Sequence, residues 1–296
     1  MKNVHPADYI APSELPLNAD GSVYHLRLQP EQLADRIILV GDPGRVAEIS
    51  CHFDKLEVRV QNRELLTHTG WLNGCRLSVV STGMGADNID IVLTELDALA
   101  NVDLRRRVAK TEHKSLELIR IGTSGSLRHD YPLEGFCAAT HGLGLDGLLN
   151  YYAVDESVFD RGLERAIRAH VQWPERLAAP YVVPCSDELL QRIGYDMYQG
   201  VTATAPGFFG PQGRQVRLPV TIPEQNDRLA SFDDGRHKIA NLEMETAALY
   251  GLGRSLGHKA LTVCLLIAKR ADKTFSEDYH PRMKELIETV LERFTL

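Results

Sequence analysis

Gly142-Leu143-Gly144-Leu145-Asp146-Gly147 has the spacing of a dinucleotide-binding turn, whose glycines let backbone N–H groups approach a pyrophosphate. It follows a strand-like run, Phe136-Cys137-Ala138-Ala139-Thr140. That fingerprint normally sits on the first strand of a βαβ unit and opens a helix. Here it lies mid-chain, and Leu148-Leu149-Asn150-Tyr151-Tyr152 is a weak helix start. The match is therefore read as incidental. No HExxH, GxxxxGK[ST] or GxSxG is present, which lowers metalloprotease, P-loop and α/β-hydrolase readings. None of the 11 histidines pairs at short helical spacing with a carboxylate in a ligand-like cluster, so no metal site is expected. The five cysteines show no CxxC or zinc-knuckle spacing, and their odd number makes a poor disulfide framework. They read as reduced thiols of a cytoplasmic protein. The net charge of −7 disfavours a general nucleic-acid binder but is compatible with a local basic pocket for a small anion.

The elements that would position a site follow a recurring pattern. Three short apolar runs each lead into a glycine turn. Arg36-Ile37-Ile38-Leu39-Val40 leads into Gly41-Asp42-Pro43-Gly44-Arg45. Arg76-Leu77-Ser78-Val79-Val80-Ser81 leads into Thr82-Gly83-Met84-Gly85. Leu118-Ile119-Arg120-Ile121 leads into Gly122-Thr123-Ser124-Gly125. Each run reads as a buried strand bounded by a turn. Helical spacing is present over 87–100, 243–256 and 281–294, the last opening with Pro281. Residues 260–267 read as a further buried strand. Strands with intervening helices predict an α/β sandwich. With 296 residues, one large domain fits the length. Residues 1–22 are Pro-rich and aperiodic and read as an amino-terminal arm, leaving a single domain over 23–296. Arg105-Arg106-Arg107, with Lys110, His113 and Lys114, reads as a solvated loop. No stretch reaches 18 apolar residues, so neither a transmembrane helix nor membrane association is expected.

Four segments in this order and spacing resemble the nucleoside phosphorylase family, which includes uridine phosphorylase and the hexameric purine nucleoside phosphorylases. They are Gly41-Asp42-Pro43-Gly44-Arg45, Ser81-Thr82-Gly83-Met84-Gly85, Arg120-Ile121-Gly122-Thr123-Ser124-Gly125 and Glu243-Met244-Glu245-Thr246-Ala247. The resemblance covers about residues 23–270. The first 20 residues and the basic stretch 104–115 are additional to the short bacterial members. It implies a three-layer α/β/α sandwich with a central mixed sheet. It also implies an enzyme that needs no cofactor or metal, with nucleoside and inorganic phosphate as its substrates.

The family's site residues map onto this chain as follows. Gly41, Arg45, Arg63, Arg120 and Thr123 match the phosphate site. Glycine turns let backbone amides approach an anion, and arginines clamp it with charge-assisted hydrogen bonds. Taken alone, Arg63 reads as a surface residue; with Arg45, Arg120 and the glycine turns it reads as part of a site. His25, Met244 and Glu245 match the ribose site, the carboxylate accepting from the 2′ and 3′ hydroxyls. The simpler reading of Glu245 is an exposed helix-start glutamate. Arg63 and His25 match residues that the family supplies across a dimer interface, which implies a homo-oligomer, either a dimer or a dimer-built hexamer. Some relatives also hold a structural monovalent cation near the glutamate matching Glu64.

Base specificity turns on two places. Purine members carry an Asp after the strand that follows the EMETA segment; here Leu266-Ile267-Ala268-Lys269-Arg270 holds no carboxylate, and Asp272 comes too late. Uridine phosphorylases instead have Gln-x-Arg in a loop with an aromatic residue, matching Phe208, Gln212 and Arg214. Gln212 offers a donor and an acceptor to the uracil edge, Arg214 donates to a ring carbonyl and Phe208 stacks. Arg120, Gln212 and Arg214 are thus the expected catalytic set. The expected activity is reversible phosphorolysis of uridine to uracil and ribose 1-phosphate, in nucleoside catabolism and pyrimidine salvage. A purine nucleoside phosphorylase is the alternative, and a catalytically silent nucleoside-binding protein is a more distant one.

Overall fold

The computed structural model describes residues 9–296. These form two compact units, each built from two stretches of chain. The first comprises residues up to Gly83 with Asp90–Leu118; the second comprises Met84–Ile89 with Ile119–Leu296.

The first unit contains β1 (Arg36–Val40), α1 (Pro43–Ser50), β2 (Lys55–Asn62), β3 (Leu65–Leu72) and β4 (Cys75–Ser81). β1 runs parallel to β4, and β4, β3 and β2 form an antiparallel meander. Ile37, Ile38, Leu39 and Val40 are all buried, as a strand covered on both faces requires. β1 ends at Gly41. Asp42 then caps α1, its side chain accepting from Gly44 N at 2.8 Å, and Pro43 takes the first helical position. The apolar stripe read over 87–100 is α2 (Ala86–Asn101), which buries Val92, Leu93, Leu96 and Leu99. A short hairpin, β5 (Val102–Asp103) and β6 (Val108–Ala109), follows it.

Residues 1–8 of the expected arm lie outside the described residues. Residues 9–22 are fastened to this hairpin. Arg107, held at φ 56°, donates from Nε to Ile10 O at 2.8 Å and from Nη2 to Ala11 O at 3.1 Å and to Leu15 O. Ile10 N returns a hydrogen bond to Arg107 O at 2.8 Å, and Leu15 is buried. The basic run is thus not uniformly a solvated loop. Arg105 and Arg106 are exposed as expected, whereas Arg107 is half-buried because three backbone carbonyls need its donors.

Glu95 is 5% exposed and organises the segment before β1. It accepts from His25 N at 2.8 Å and Leu26 N at 2.7 Å, and its Oε1 lies 2.8 Å from His25 Nδ1. Glu95→Leu strips these partners from buried amides. It is expected to lower the unfolding free energy by about 2 kcal/mol, measured by chemical denaturation.

The second unit contains β7 (Glu117–Ser126, which enters it at Ile119), β8 (Phe136–Gly144), α3 (Arg161–Val171), β9 (Tyr181–Pro184), α4 (Asp187–Ile193) and β10 (Tyr198–Thr204). These are followed by α5 (Gln225–Ala230), β11 (Ile239–Glu243), α6 (Thr246–Ser255), β12 (Lys259–Lys269), β13 (Thr274–Phe275) and α7 (His280–Thr295). The strand order is β13-β12-β8-β10-β11-β7, and β12 also pairs with β7, so the sheet closes on itself. β10 is parallel to both β8 and β11, while β8–β12 and β7–β11 are antiparallel. Leu143, Val201, Ala203 and Leu242 pack with Leu163, Ile167 and Val171 of α3 and Leu229 of α5. The preceding residue in β8, Gly142, faces α6 on the other side, where a Cβ would lie 2.6 Å from Ala247 Cα. Helices therefore cover both faces of a mixed sheet, as expected. α7 buries Met283, Leu286, Ile287, Val290, Leu291 and Phe294, the face read from its spacing.

Two sequence expectations shift. Gly122-Thr123-Ser124-Gly125 is not a turn: β7 continues through it, and Gly125 and Ser126 pair with Leu242 and Asn241. The helix read over 243–256 begins only at Thr246, because Glu243 closes β11 and Glu245 takes the helix-capping position. Gly142 and Gly144 lie within β8, where Gly142 admits α6; Gly147 opens only a four-residue 3₁₀ turn, Leu148–Tyr151, and not the α-helix of a βαβ unit, so the dinucleotide reading fails structurally.

Candidate active site

In the second unit, β7 delivers Arg120 to the chain end of β11. Arg120 is 4% exposed. Its Nη2 is ion-paired with Glu245 Oε2, and its Nη1 lies 3.4 Å from Glu243 Oε2. Gly122 makes the space for this guanidinium, because a Cβ there would lie 2.1 Å from Arg120 Nη1. A strand glycine with this close an approach is a steric requirement. Gly122→Ala must push the guanidinium out of its carboxylate pairings. It is expected to cut kcat/KM about 10-fold or more while the fold persists, as steady-state kinetics alongside circular dichroism would show.

The two glutamates divide their work. Glu243 accepts from Thr204 Oγ1 at 2.7 Å, Glu245 N at 2.9 Å and Thr246 N at 3.0 Å, which fixes the first turn of α6. Glu245 accepts from Gly85 N at 2.8 Å and faces Arg120. It is buried, not the exposed helix-start residue of the simpler reading. Burial raises its pKa, the Arg120 charge opposes this, and Glu243 adds to the rise. Burial works against the Arg120 charge, but Glu245, Glu243 and Cys264 outweigh it and the guanidinium is held firmly protonated. Met244 is half-buried between the two glutamates. Thr123 is half-buried on β7, next to Gly122.

The Gln212–Arg214 loop follows β10. Gly210–Gln212 is one turn of 3₁₀ helix, closed by Gly213 at φ 68°. Arg214 Nη1 donates to Gln212 Oε1 at 2.6 Å and to Phe208 O at 2.5 Å, and its guanidinium lies 3.7 Å from the Phe208 ring centre. The structure thus brings all three expected base residues together. It places Arg214, rather than open space, over the Phe208 ring. Gln212 is buried and Phe208 half exposed. Burial and the nearby Arg270 push the Arg214 pKa down to about 10, which still leaves it charged at neutral pH. Phe209 and Arg214 also line a cavity of about 830 Å³ bounded by Trp173, Leu177, Val216 and Ile222; Arg120 and Glu245 do not line it.

Arg270 escaped the sequence reading, which asked only whether a carboxylate stood there. Its Nη2 donates to Gln212 O at 3.2 Å, and its aliphatic stem packs where Gly125 leaves room, 3.1 Å from a hypothetical Cβ. The signal available was a basic pair, Lys269-Arg270, ending an apolar strand. β7 therefore supports both groups, with Arg120 directly on it and Gln212 through Gly125 and Arg270.

The remaining expected residues lie in the first unit. Gly41 and Arg45 flank the start of α1, with Arg45 buried. Arg63 is exposed at the β2–β3 turn with φ 54°, a left-handed conformation uncommon for arginine. Asn62 Nδ2 donates to His25 O at 2.8 Å, so the turn carrying Arg63 is tied to the segment carrying His25.

A family model of the phosphorylase superfamily matches residues 35–294. The chain belongs to the phosphorylase superfamily. Nucleoside phosphorylases are among its relatives. A uridine phosphorylase of Thermococcus kodakarensis is 29% identical over 271 residues, covering 90% of this chain and 84% of the relative. A DeoD-type purine nucleoside phosphorylase of Colwellia psychrerythraea is 27% identical over 279 residues, covering 90% of this chain and 97% of the relative. Among solved structures, a Trypanosoma brucei nucleoside phosphorylase described as showing uridine phosphorylase activity superposes with a TM-score of 0.85. It is 31% identical and covers 95% of this chain and 99% of that one. The family resemblance and the mixed α/β fold it implies are borne out. Membership of this superfamily makes the chain a pentosyltransferase-type enzyme. Among the described residues, no helix is long and apolar enough to cross a membrane.

Proposed function

We propose that the chain catalyses reversible phosphorolysis of uridine to uracil and ribose 1-phosphate. The observation that carries this reading is the Gln212–Arg214 pair. It presents an amide and a guanidinium side by side in a chain with no carboxylate at 266–270 to protonate a purine. Binding uracil would exchange the internal Gln212–Arg214 hydrogen bond for bonds to the base edge. As the glycosidic bond lengthens, negative charge develops on the departing uracil. Arg214, charged at neutral pH, stabilises it, with Gln212 fixing the ring's orientation. Glu245 holds the ribose hydroxyls and Met244 packs against the sugar.

Phosphate attacks C1′ from the opposite side and stabilises the positive charge on the ribose. Arg120 and Thr123 are its proposed ligands in the second unit. The family resemblance assigns Gly41, Arg45 and Arg63 to the same anion. Two carboxylates face the single Arg120 guanidinium, so a dianion bound there needs further cations. The tie between His25 and the Arg63 turn supports the two acting together, as donors to a second copy's site in a homo-oligomer. A purine nucleoside phosphorylase is the second reading, favoured only by the purine-specific relatives at similar identity.

The reaction class is tested by following uracil release from uridine with and without phosphate. Phosphorolysis gives ribose 1-phosphate and essentially no turnover when phosphate is omitted. Free ribose formed at an undiminished rate without phosphate would mark a hydrolase and end this reading.

A further inference from the structure

A chain of buried polar side chains runs beneath the candidate site and ends on Arg120. Thr202 Oγ1 donates to Asn241 Oδ1 at 2.7 Å, and Asn241 Nδ2 donates to Ser124 Oγ at 2.8 Å. Ser124 lies beside the Cys264 thiol and helps to hold its pKa down against the rise that burial causes. Cys264 Sγ in turn accepts from Arg120 Nη1 at 3.7 Å. The members lie on β10, β11, β7 and β12, and none is more than 5% exposed. Packing alone would be served as well by apolar residues, since burying polar groups is costly unless each is satisfied. At one end Thr202 donates to Asn241 and Asn241 to Ser124, and at the other the sulfur accepts from the guanidinium. Among the described residues, Arg120 otherwise meets only the carboxylate side, through Glu243 and Glu245, and its Nε has no hydrogen-bond partner.

We infer that Cys264 is a positioning residue for Arg120, with Asn241 and Thr202 supporting it. The thiol offsets the pull of the two glutamates and fixes the guanidinium's orientation toward phosphate. This rests on the reading of Arg120 as a phosphate ligand. A weak sulfur acceptor governs orientation rather than bulk affinity, so its loss should be felt first in phosphate binding.

The test is the steady-state KM for phosphate and for nucleoside in the full-length protein, with melting temperature as a folding control. Cys264→Ala is expected to raise the phosphate KM about five-fold, equivalent to losing one ordinary hydrogen bond. It should move the nucleoside KM less. Cys264→Ser, which retains an acceptor, should stay within about two-fold of the wild type. Thr202→Val, at the far end of the chain, should raise the phosphate KM about two-fold. An unchanged phosphate KM in folded Cys264→Ala overturns the inference, as does an equal rise in both Cys264 variants, which would mark packing. A wild-type enzyme indifferent to phosphate would instead overturn the phosphate reading of Arg120 itself.

Discussion

Arg120→Met is expected to lower kcat/KM for phosphorolysis about 10³-fold and to destabilise the protein by about 3–5 kcal/mol. The two effects share one cause. Among the described residues, Arg120 is the only cation in direct ion-pair contact with the Glu243 and Glu245 carboxylates, and all three groups are buried. Removing it leaves two carboxylates in a low-dielectric site and removes a preorganised donor to the attacking anion. The stability loss should depend on pH. Burial already raises the Glu245 pKa, and Arg120 is the main influence holding it down. A carboxyl whose folded pKa is raised contributes fully below its unfolded pKa and loses that contribution as pH rises through the folded value. Without Arg120 the folded value rises further, so the variant should fall furthest behind the wild type at neutral and alkaline pH and recover in mild acid. Denaturation midpoints at several pH values check this. A loss that grows as pH falls would contradict the assignment of Glu245 as the group left unpaired.

Arg214→Ala should lower kcat/KM for uridine about 10²-fold, the range expected for losing a charge-assisted hydrogen bond in a desolvated site. The uridine KM should rise while the phosphate KM stays close to that of the wild type. Folding should be little affected, because the partners of the Arg214 guanidinium all belong to its own loop: Gln212 Oε1, the Phe208 carbonyl and the Phe208 ring. Steady-state kinetics with each substrate varied in turn separates these effects. Indifference to the change would remove the base-site assignment.

The strands were legible wherever burial on both faces left a continuous apolar run, as in Ile37-Ile38-Leu39-Val40. The amphipathic faces of α2 and α7 were equally clear. Gly122-Thr123-Ser124-Gly125 was misleading because glycine signals a turn locally. In the fold, Gly122 and Gly125 are strand positions that admit Arg120 and Arg270. Glu243 read as helical because it precedes an Ala- and Leu-rich stretch; its carboxylate in fact terminates β11 and organises the first turn of α6. Glu95's hold on His25 spans 70 positions, and the Arg107 clasp on Ile10, Ala11 and Leu15 crosses a similar distance in sequence. Such long-range pairings leave no periodic trace. Arg120, Glu245, Gln212 and Arg214 were found through the family resemblance. Their burial and mutual pairing emerge only once the strands are assembled.

The most direct test of the central claim is a nucleoside panel in the presence of phosphate, following free base from uridine, thymidine, inosine and adenosine. The Gln212–Arg214 loop and the absent purine acid predict phosphate-dependent release of uracil from uridine, with inosine and adenosine left intact. Cleavage of inosine or adenosine with uridine untouched would contradict the pyrimidine assignment.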